Sequence, residues 1–495
     1  MNARRIIEAA GPESCHPWPR RILSPGNWAA MAEALRGDRD LSLVSLWADT
    51  TQVHTLLLSE ATGTPVLASV PLEDGQYAAL SPARPGAALF ERLVHDLWGH
   101  VAAGAADLRP WVDHGVWPHT VPLSPRPGPP VSEPELPEFP APAGEALSQL
   151  PIGPVLGSID GGWHLRLTLR GETVIRAEAR LGYTHKGSLA LMRGKSPRIA
   201  ARFVARLAAE GTVAHSLAFA LATESALAIA APPRATTLRR LMLELERIAV
   251  HLDDLGRIAE AVDAQGAASA CGEQREHLLR GLEAAFGHRL MMDIVVPGGI
   301  AGEITTSGLL ALRRMLGGFA SALSGLRRRF EAGAGLDRLA GIGRLSTPQA
   351  KALGLSGLAG RASGRAFDAR SLRSDAGFAG QVQQAGDAAA RCRLRLAEIE
   401  TSLVLIGRLL DIMPEGETSA ALPMLSGEGV GSVESARGDV WHWLRLDHGQ
   451  IAAIFPRDPG WALWPAAEWA LAGAALEDAA AIQRSFGLSA SGADL

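Results

Sequence analysis

The stretch RATTLRRLMLELERIAVHLDDLGRIAEAV (residues 234–262) decides how most of the chain folds. Apolar side chains recur in it at spacings of three and four residues, at Leu238, Leu241, Leu245, Ile248, Leu252 and Leu255. This spacing puts one apolar stripe along a single long helix, and such a stripe must be buried against other helices. Leucine-rich segments near 308–330 and 383–413 continue the pattern, so we predict a helical bundle.

Alternating apolar and polar residues flank the predicted bundle. GWHLRLTLRGETVIRAEARLG (162–182) alternates around Arg-Gly-Glu and predicts a β-hairpin. GSVESARGDVWHWLRLDHGQIAAIF (431–455) predicts a second hairpin that returns to the same sheet. Nearer the N-terminus, short β-rich runs over 41–72 precede an amphipathic helix within 86–104, which indicates a small α+β unit.

A proline-rich stretch separates the two parts of the chain. Nine prolines within 121–147 favour extended backbone and remove hydrogen-bond donors, as in a semi-rigid linker. We therefore predict an α+β protein in which a small N-terminal α+β domain (1–120) and a linker (121–148) precede a large, mainly helical domain with peripheral β-hairpins (149–495).

Composition excludes several classes of function. The formal net charge of -4 leaves no basic excess for nucleic acid. The three cysteines, Cys15, Cys271 and Cys392, form no CxxC pair, so we expect no disulfide framework and no cysteine-ligated metal or iron–sulfur cluster within this chain. No apolar run reaches the roughly 20 residues that a transmembrane helix needs, and we expect a cytoplasmic protein without a signal peptide.

Several ordered motifs resemble one superfamily. FERLVHDLWGHVAAGAADLRPWVDHGVWP (90–118) resembles the 30-kilodalton-type subunit of respiratory complex I. Residues 149–495 resemble the complex I 49-kilodalton-type subunit and the large subunit of membrane-bound [NiFe] hydrogenases. The segments that carry this second resemblance are PIGPVLGSIDGGWHLRLTLRGE (151–172), RLGYTHKG (180–187), PPRATTLRRLMLELERIAVHL (232–252), GIGRL (341–345), GRASGRAFDAR (360–370) and VESARGD (433–439). The fusion of both modules is most like the large subunits of formate hydrogenlyase-type, group 4 hydrogenases.

The resemblance implies a nickel site whose ligands are missing. The family holds nickel and iron with two CxxC pairs. When VARLAAEGTVAHS (204–216) is aligned from Arg206 to His215, the first pair falls on Ala208 and Gly211. The second pair falls on or near Ser489 and Gly492. Alanine and glycine cannot ligate a metal and a neutral serine replaces a thiolate poorly, so we expect no [NiFe] centre and no hydrogenase activity.

The complex I relatives imply a quinone site, which is also altered. The same alignment places Ala209 where the quinone-contacting tyrosine would be, and Leu156 stands where relatives carry histidine. The hairpin keeps Asp160 and His164, which we assign to the cavity. A quinone thus stays an alternative ligand that these changes disfavour.

Charged residues near the first bundle helices are the remaining site candidates. We read 204–216 as the start of a helix, in which Glu210 either relays protons or is a partly hydrated residue of a remodelled cavity, and His215 keeps a structural hydrogen bond. Glu244, Arg247 and His251 fall on one helix face, where a proton-relay role competes with a solvated face or an interface salt bridge. The resemblance adds Glu224 and Arg239 as a polar interior.

The resemblance implies a peripheral subunit of an ion-translocating membrane complex. Its partners would be a small iron–sulfur subunit like the complex I 20-kilodalton-type subunit, which would hold the [4Fe–4S] cluster, together with a ferredoxin-like subunit and antiporter-like membrane subunits. The complex would lie on the cytoplasmic side of the cell inner membrane, and this chain would bind no metal or cofactor itself. A redox-silent structural or conformational-coupling subunit is the alternative, and a quinone-site subunit of an NADH:quinone oxidoreductase is the third interpretation.

Overall fold

The helices lie mainly in the second half of the chain. The computed structural model describes residues 2–133, 139, 142, 144, 146–156, 161–302, 304–331, 334–372 and 380–495. The α-helices are α1 (Ala3–Glu8), α2 (Pro25–Leu35), α3 (Ala88–Trp98), α4 (Ser188–Met192), α5 (Pro197–Val204), α6 (Thr212–Ala226), α7 (Pro233–Ala261), α8 (Gln265–Phe286), α9 (Thr306–Glu331), α10 (Ala334–Leu339), α11 (Thr347–Ala352), α12 (Gly357–Ala362), α13 (Ala388–Asp411), α14 (Gly460–Leu471) and α15 (Ala479–Phe486).

The predicted helical bundle is confirmed. Helix α7 packs against α8 and α13, and α9 packs against α8. The predicted stripe from Leu238 to Leu255 is fully buried at this junction. Burying leucine and isoleucine side chains of this kind stabilises the fold by about 1.5–3 kcal/mol each, before cavity and entropy terms. Helices and sheets together confirm the α+β class.

The strands form small sheets around the bundle. They are β1 (Pro12–Glu13), β2 (Arg20–Ile22), β3 (Leu41–Ala48), β4 (Gln52–Ser59), β5 (Pro65–Pro71), β6 (Gln76–Ala78), β7 (Val101–Ala103), β8 (Leu147–Ile152), β9 (His164–Arg170), β10 (Thr173–Arg180), β11 (Val295–Val296), β12 (Gly299–Ile300), β13 (Gly427–Glu434), β14 (Asp439–Asp447) and β15 (Gln450–Arg457). The first five make one sheet in the order β1-β2-β5-β4-β3, and β6 pairs with β7.

Of the two hairpin predictions, one is confirmed and the other is wrong about the sheet that the hairpin joins. The hairpin around Gly171 is confirmed, because β9 and β10 pair antiparallel and β8 joins them. The prediction that 431–455 returns to that sheet is wrong, since β13, β14 and β15 form an antiparallel sheet of their own. Alternation reports which face of a strand is buried but not which strand lies beside it. Strand β8 also begins at Leu147, inside the predicted linker range.

The N-terminal sheet packs directly onto β13–β15. Trp47 of β3 lies 5.5 Å from Trp443 of β14, measured between ring centroids. Arg20 Nε donates to Glu428 Oε1 at 2.7 Å, and both side chains are buried. The N-terminal unit and this sheet therefore share one hydrophobic core, although the domain boundaries themselves stay a prediction.

Helix α6 lies unusually close to β13. The glycines of GEGVG (427–431) face the alanines of α6, so that a Cβ added at Gly429 or Gly431 would overlap the main-chain carbonyls of Ala222 or Ala218. Only glycine permits this approach of helix and strand backbones. The contact fixes α6 over β13 and β14, and it positions the first turns of α6 for the site described next.

Candidate functional site

The segment 204–216 is not a continuous helix. Helix α5 ends at Val204, Ala208 is extended, and a 3₁₀ turn (Ala209–Gly211) precedes α6. The helix predicted to start within 204–216 does begin there, but only at Thr212. Tertiary contacts decide this, because Glu246 of α7 accepts hydrogen bonds from the N–H groups of Val213 and Ala214 at 2.6 and 3.0 Å and so caps α6.

The two segments that the alignment assigns to metal ligation lie together. Gly211 and Ser489 line the same small cavity, together with Glu210 and Asp458. A Cβ added at Gly492 would overlap the carboxyl group of Asp458. Ala208 is buried at the turn, where its carbonyl accepts the N–H of Gly211 at 3.2 Å. The fold thus brings both segments to Asp458.

A carboxylate and two histidines connect at this point. His215 Nε2 lies 3.0 Å from Asp458 Oδ2, and its Nδ1 lies 3.0 Å from His442 Nε2. Both histidines are fully buried. Burial opposes ionisation of Asp458, but the hydrogen bond and the charge of His215 hold the pKa of Asp458 below its ordinary value. Burial keeps the pKa of His442 well below its ordinary value, so His442 is neutral.

Glu210 is ion-paired on the opposite side of the cavity. Arg437 Nη1 donates to Glu210 Oε1 at 2.8 Å, and its Nη2 donates to Asp254 Oδ1 at 2.9 Å. Asp254 also accepts from Arg395 at 3.1 Å. Burial by itself would raise the pKa of Asp254, but the guanidinium groups of Arg437 and Arg395 lower it to about 2. Glu210 also borders an outer cavity of about 290 Å³, which agrees with a partly hydrated carboxylate.

The charges of α7 are inside the protein. Arg247 Nε donates to Glu244 Oε2 at 3.0 Å, and Ser402 of α13 donates to the same oxygen at 2.6 Å. His251 Nε2 lies 2.9 Å from Glu398 Oε2, also on α13. All five side chains are buried. The solvated-face alternative is therefore wrong for this stripe, and the proton-relay role stays a prediction.

Arg361 of α12 connects the charged residues of α13 to Glu434 of β13. This guanidinium contacts Glu398 at 2.5 Å, Glu434 at 2.7 Å and Asp368 at 3.1 Å. Burial and the neighbouring Asp368 charge raise the pKa of Glu434 to about 7. Glu434 and Arg370 line a cleft of about 670 Å³ beside α6 and α7. We call the set Glu210, Arg437, Asp254, His251, Glu398, Arg361 and Glu434 the ionic network.

Glu224 and Arg239 form a separate buried pair. Arg239 Nη2 donates to Glu224 Oε1 at 2.7 Å, and its Nε donates to the carbonyl of Gly299 at 2.9 Å. Glu224 Oε1 also accepts the N–H of Gly298 at 2.9 Å. These bonds tie α6 and α7 to the β11–β12 turn, which fits the predicted polar interior.

The hairpin residues are not joined to Glu210. His164 lies at the start of β9, where its ring is 4.9 Å from that of Phe139, and burial lowers its pKa. Asp160 lies outside the described residues. The retained GYTHKG motif (182–187) instead contacts the last residues of the chain: Asp494 accepts from the N–H groups of Gly182 and Thr184 at 2.7 and 3.0 Å.

Sequence reasoning missed the partners of the site. Asp458, Glu398, Arg361, Asp494 and Arg395 come from distant segments, and no spacing rule connects them to 204–216. The motifs GRASGRAFDAR (360–370) and VESARGD (433–439) indicate only that Asp368 and Arg437 lock the fold or contact partner subunits. In the part of the chain that the structure describes, no group of three or more His, Cys, Asp or Glu side chains is arranged to hold a metal ion.

The residues do not fit a [NiFe] centre or the family's quinone contact. Positions Ala208, Gly211, Ser489 and Gly492 offer no thiolate, and Asp458 takes the space into which a side chain at Gly492 would project. Ala209 offers no phenol to a quinone.

Known proteins resemble this chain over most of its length. A family described as Respiratory-chain NADH dehydrogenase, 49 Kd subunit, matches residues 262–426. An NADH-quinone oxidoreductase component of Rhizobium etli (strain CIAT 652) is 32% identical over 302 residues, which cover 59% of this chain and 75% of that protein. The chain therefore belongs to the superfamily of the complex I 49-kilodalton-type subunit and the hydrogenase large subunits.

Other relatives come from the hydrogenase branch and from a solved complex. Formate hydrogenlyase subunit 5 of Escherichia coli (strain K12) is 28% identical, over 82% of this chain and 74% of that protein. Hydrogenase-4 component G of the same organism is 27% identical, over 84% and 75% respectively. A chain of the membrane-bound sulfane sulfur reductase, an archaeal respiratory membrane complex, superposes with a TM-score of 0.66 at 25% identity, covering 72% of this chain and 100% of that chain.

No helix within the described ranges is long and apolar enough to cross a membrane.

Proposed function

We propose that the chain is the large peripheral-arm subunit of a membrane-bound, complex I-like oxidoreductase that lacks a [NiFe] centre. It couples electron transfer from a partner iron–sulfur subunit to ion movement. The ionic network carries this proposal, because its two hydrogen-bonded halves lie between the outer cavity at Glu210 and the cleft at Glu434. Glu210, Arg437 and Asp254 form one half, and His251, Glu398, Arg361 and Glu434 form the other. Asp254 and His251 lie one turn apart on α7, where the two halves come close without a hydrogen bond between these two side chains.

The energetics of buried charge support a functional reason for this network. Removing ions from water costs several kcal/mol per ion, and well-packed apolar residues often replace buried ion pairs without loss of stability. Stability alone does not therefore explain so many paired charges between α7, α13 and β13. Two carboxyl groups in or beside the network, Glu434 and Glu246, have pKa values raised to about 7 and about 8, within the range where protons are exchanged at neutral pH.

The partners follow from the same proposal. A small iron–sulfur subunit would hold the [4Fe–4S] cluster, because Cys15, Cys271 and Cys392 are three buried thiols and no group of three or more His, Cys, Asp or Glu among the described residues is arranged to hold a metal. A ferredoxin-like subunit and antiporter-like membrane subunits would complete the complex on the cytoplasmic side of the inner membrane. The names of the relatives, which include formate hydrogenlyase and a respiratory membrane complex, support this assignment.

A redox-silent structural or conformational-coupling subunit is the second candidate function. The observation that favours it is the position of Asp458, which fills the space beside Gly492. A subunit that only transmits conformational change would keep the ion pairs as rigid contacts without proton exchange. A quinone-site role like that of NADH:quinone oxidoreductase has less support, since Ala209 replaces the tyrosine.

Glu244→Gln separates these functions. The substitution keeps the shape of the side chain and its bond to Ser402 but removes the charge beside Arg247. In the purified complex reconstituted in vesicles, we expect electron transfer or ion movement to fall at least fivefold with assembly intact. Glu276→Gln is the matched control, because Glu276 is ion-paired to Arg280 and Arg289 on the protein surface. Ion movement at the wild-type rate in Glu244→Gln would contradict the coupling role and would leave the structural role as the function of this subunit.

Metal analysis tests the absent nickel site. Because the four ligand positions lack thiolates, the purified complex should contain iron but no stoichiometric nickel, and it should not reduce dyes with hydrogen. Stoichiometric nickel bound by this chain, or hydrogen uptake attributable to it, would overturn the proposal.

A further inference from the structure

A small cavity lies where the two ligand segments meet. Its volume is about 20 Å³, and its walls include Glu210, Gly211, Arg437, Asp458 and the segment at Ser489. A volume of about 10–15 Å³ is enough for one water molecule when two to four polar groups face it. The cavity thus has room for a single water molecule.

The polar groups around the cavity have hydrogen-bonding capacity to spare. Arg437 uses both of its terminal nitrogens on Glu210 and Asp254, but its Nε–H is buried and has no hydrogen-bond partner among the described residues. A buried donor left unpaired costs about 1–3 kcal/mol. The oxygens of Glu210 and Asp458 are the acceptors of this cavity, and each carboxylate can accept more bonds than the contacts above supply.

We infer that this cavity binds one water molecule, which joins Glu210 and Arg437 to the Asp458–His215 pair and makes these side chains a single proton-binding centre. Arg437 Nε–H donates to the water oxygen, and the water donates its two protons to carboxylate oxygens of Glu210 and Asp458. One added proton is then shared between the two carboxylates through the water.

Each step of this exchange conserves protons. A proton that reaches Glu210 from the outer cavity binds a carboxylate oxygen, and Glu210 then donates it to the water. The water in turn gives up one of its own protons to Asp458 and is left neutral. His215 stabilises the ionised form of Asp458 through its Nε2, and His442, which burial keeps neutral, fixes the ring of His215 from the other side.

The centre lies where the family's metal-binding segments converge. Asp458 fills the space beside Gly492, and a Cβ added at Gly211 would lie 3.3 Å from His215 Cδ2. The cavity, the unpaired Nε–H and the paired carboxylates all belong to this chain, so the proton-binding centre depends neither on the partner subunits nor on electron transfer.

Two variants of the full chain test the inference. Gly211→Ala adds a methyl group 3.3 Å from His215 Cδ2, at a backbone φ of -136° that alanine accepts, and this methyl displaces the water. Glu210→Gln removes the outer proton acceptor. Asp253→Asn is the matched control, because it faces the same outer cavity and its side chain is 26% exposed, compared with 25% for Glu210.

Two measurements decide the outcome. A high-resolution crystal structure of the wild-type chain should show one water within hydrogen-bond distance of Arg437 Nε and Asp458. The exchange of the His215 ring N–H with solvent, followed by NMR on histidine-labelled protein, should slow at least tenfold in Gly211→Ala and in Glu210→Gln and should stay within twofold in Asp253→Asn. A dry cavity, or wild-type exchange in both test variants, would overturn the inference while leaving the proposed function open to its own tests.

Discussion

Replacing Glu246 with glutamine is expected to make the folded chain more stable at pH 8 and to leave its stability at pH 5 nearly unchanged. The carboxyl group is buried beneath the first turn of α6, where it accepts the N–H groups of Val213 and Ala214. Burial outweighs these two bonds and raises the pKa of Glu246 from 4.5 to about 8. The folded chain therefore holds this proton at pH values where the unfolded chain has released it.

The magnitude follows from proton linkage. Between about pH 4.5 and 8 the folded state binds more protons than the unfolded state, so the free energy of unfolding falls as the pH rises. The shift of about 3.5 pH units, at about 1.4 kcal/mol per unit, corresponds to about 5 kcal/mol at pH 8. Glutamine has no proton to release, and its amide oxygen still accepts one N–H of α6. The advantage of Glu246→Gln should thus grow from near zero to several kcal/mol.

Urea denaturation of both proteins at pH 5, 6, 7 and 8 measures this advantage. Glu276→Gln is the control, since the ion pairs of Glu276 with Arg289 and Arg280 lower its pKa, and no gain in stability at high pH is expected there. If Glu246→Gln were less stable than the wild type at pH 8, the reasoning would be refuted. That result would mean that the positive N-terminal end of α6 holds the carboxylate ionised in spite of its burial.

Three further substitutions test a backbone contact, a hydrogen-bond acceptor and a buried ion pair. Gly431→Ala pushes a Cβ into the main chain of α6 and should lower the free energy of unfolding by about 1–3 kcal/mol in urea denaturation; an unchanged value would contradict the close contact. Asp494→Ala removes the acceptor for segment 182–187 and should speed amide exchange there at least tenfold, as measured by mass spectrometry; unchanged protection would contradict it. Arg361→Met should lower the free energy of unfolding, measured by thermal unfolding, by about 3–5 kcal/mol at pH 8 and by less at pH 5, where Glu434 is protonated. Equal losses at the two pH values would contradict the raised pKa of Glu434.

Local patterns predict the elements of this fold well. The stripe from Leu238 to Leu255 requires a buried helix, and Arg-Gly-Glu between alternating residues requires a tight turn, because both patterns depend only on near neighbours in sequence. Family motifs likewise place Glu244, Arg247 and His251 on one helix. None of these predictions depends on which residues lie across the core.

The site itself depends on contacts that no local pattern records. Helix α6 begins at Thr212 because Glu246, 33 residues from Val213, supplies its cap. His215 meets an Asp458 that is 243 residues away, and Arg361 meets Glu434 across 73 residues. Such pairs are set by how the bundle and the sheets pack together, so the sequence alone indicates a polar helix but not its ion-pair partners.

The glycine–alanine contact between α6 and β13 restricts how this subunit could move. Packed helices usually shift against each other by small rearrangements of interlocking side chains, but here backbone lies against backbone and no side-chain layer can yield. Sliding α6 would require lifting it from the sheet, which would separate His215 from His442. Helix α6 and the sheet of β13–β15 should therefore move together as one rigid unit. Any conformational change transmitted through the subunit would have to occur where this unit borders α7 and the last residues of the chain.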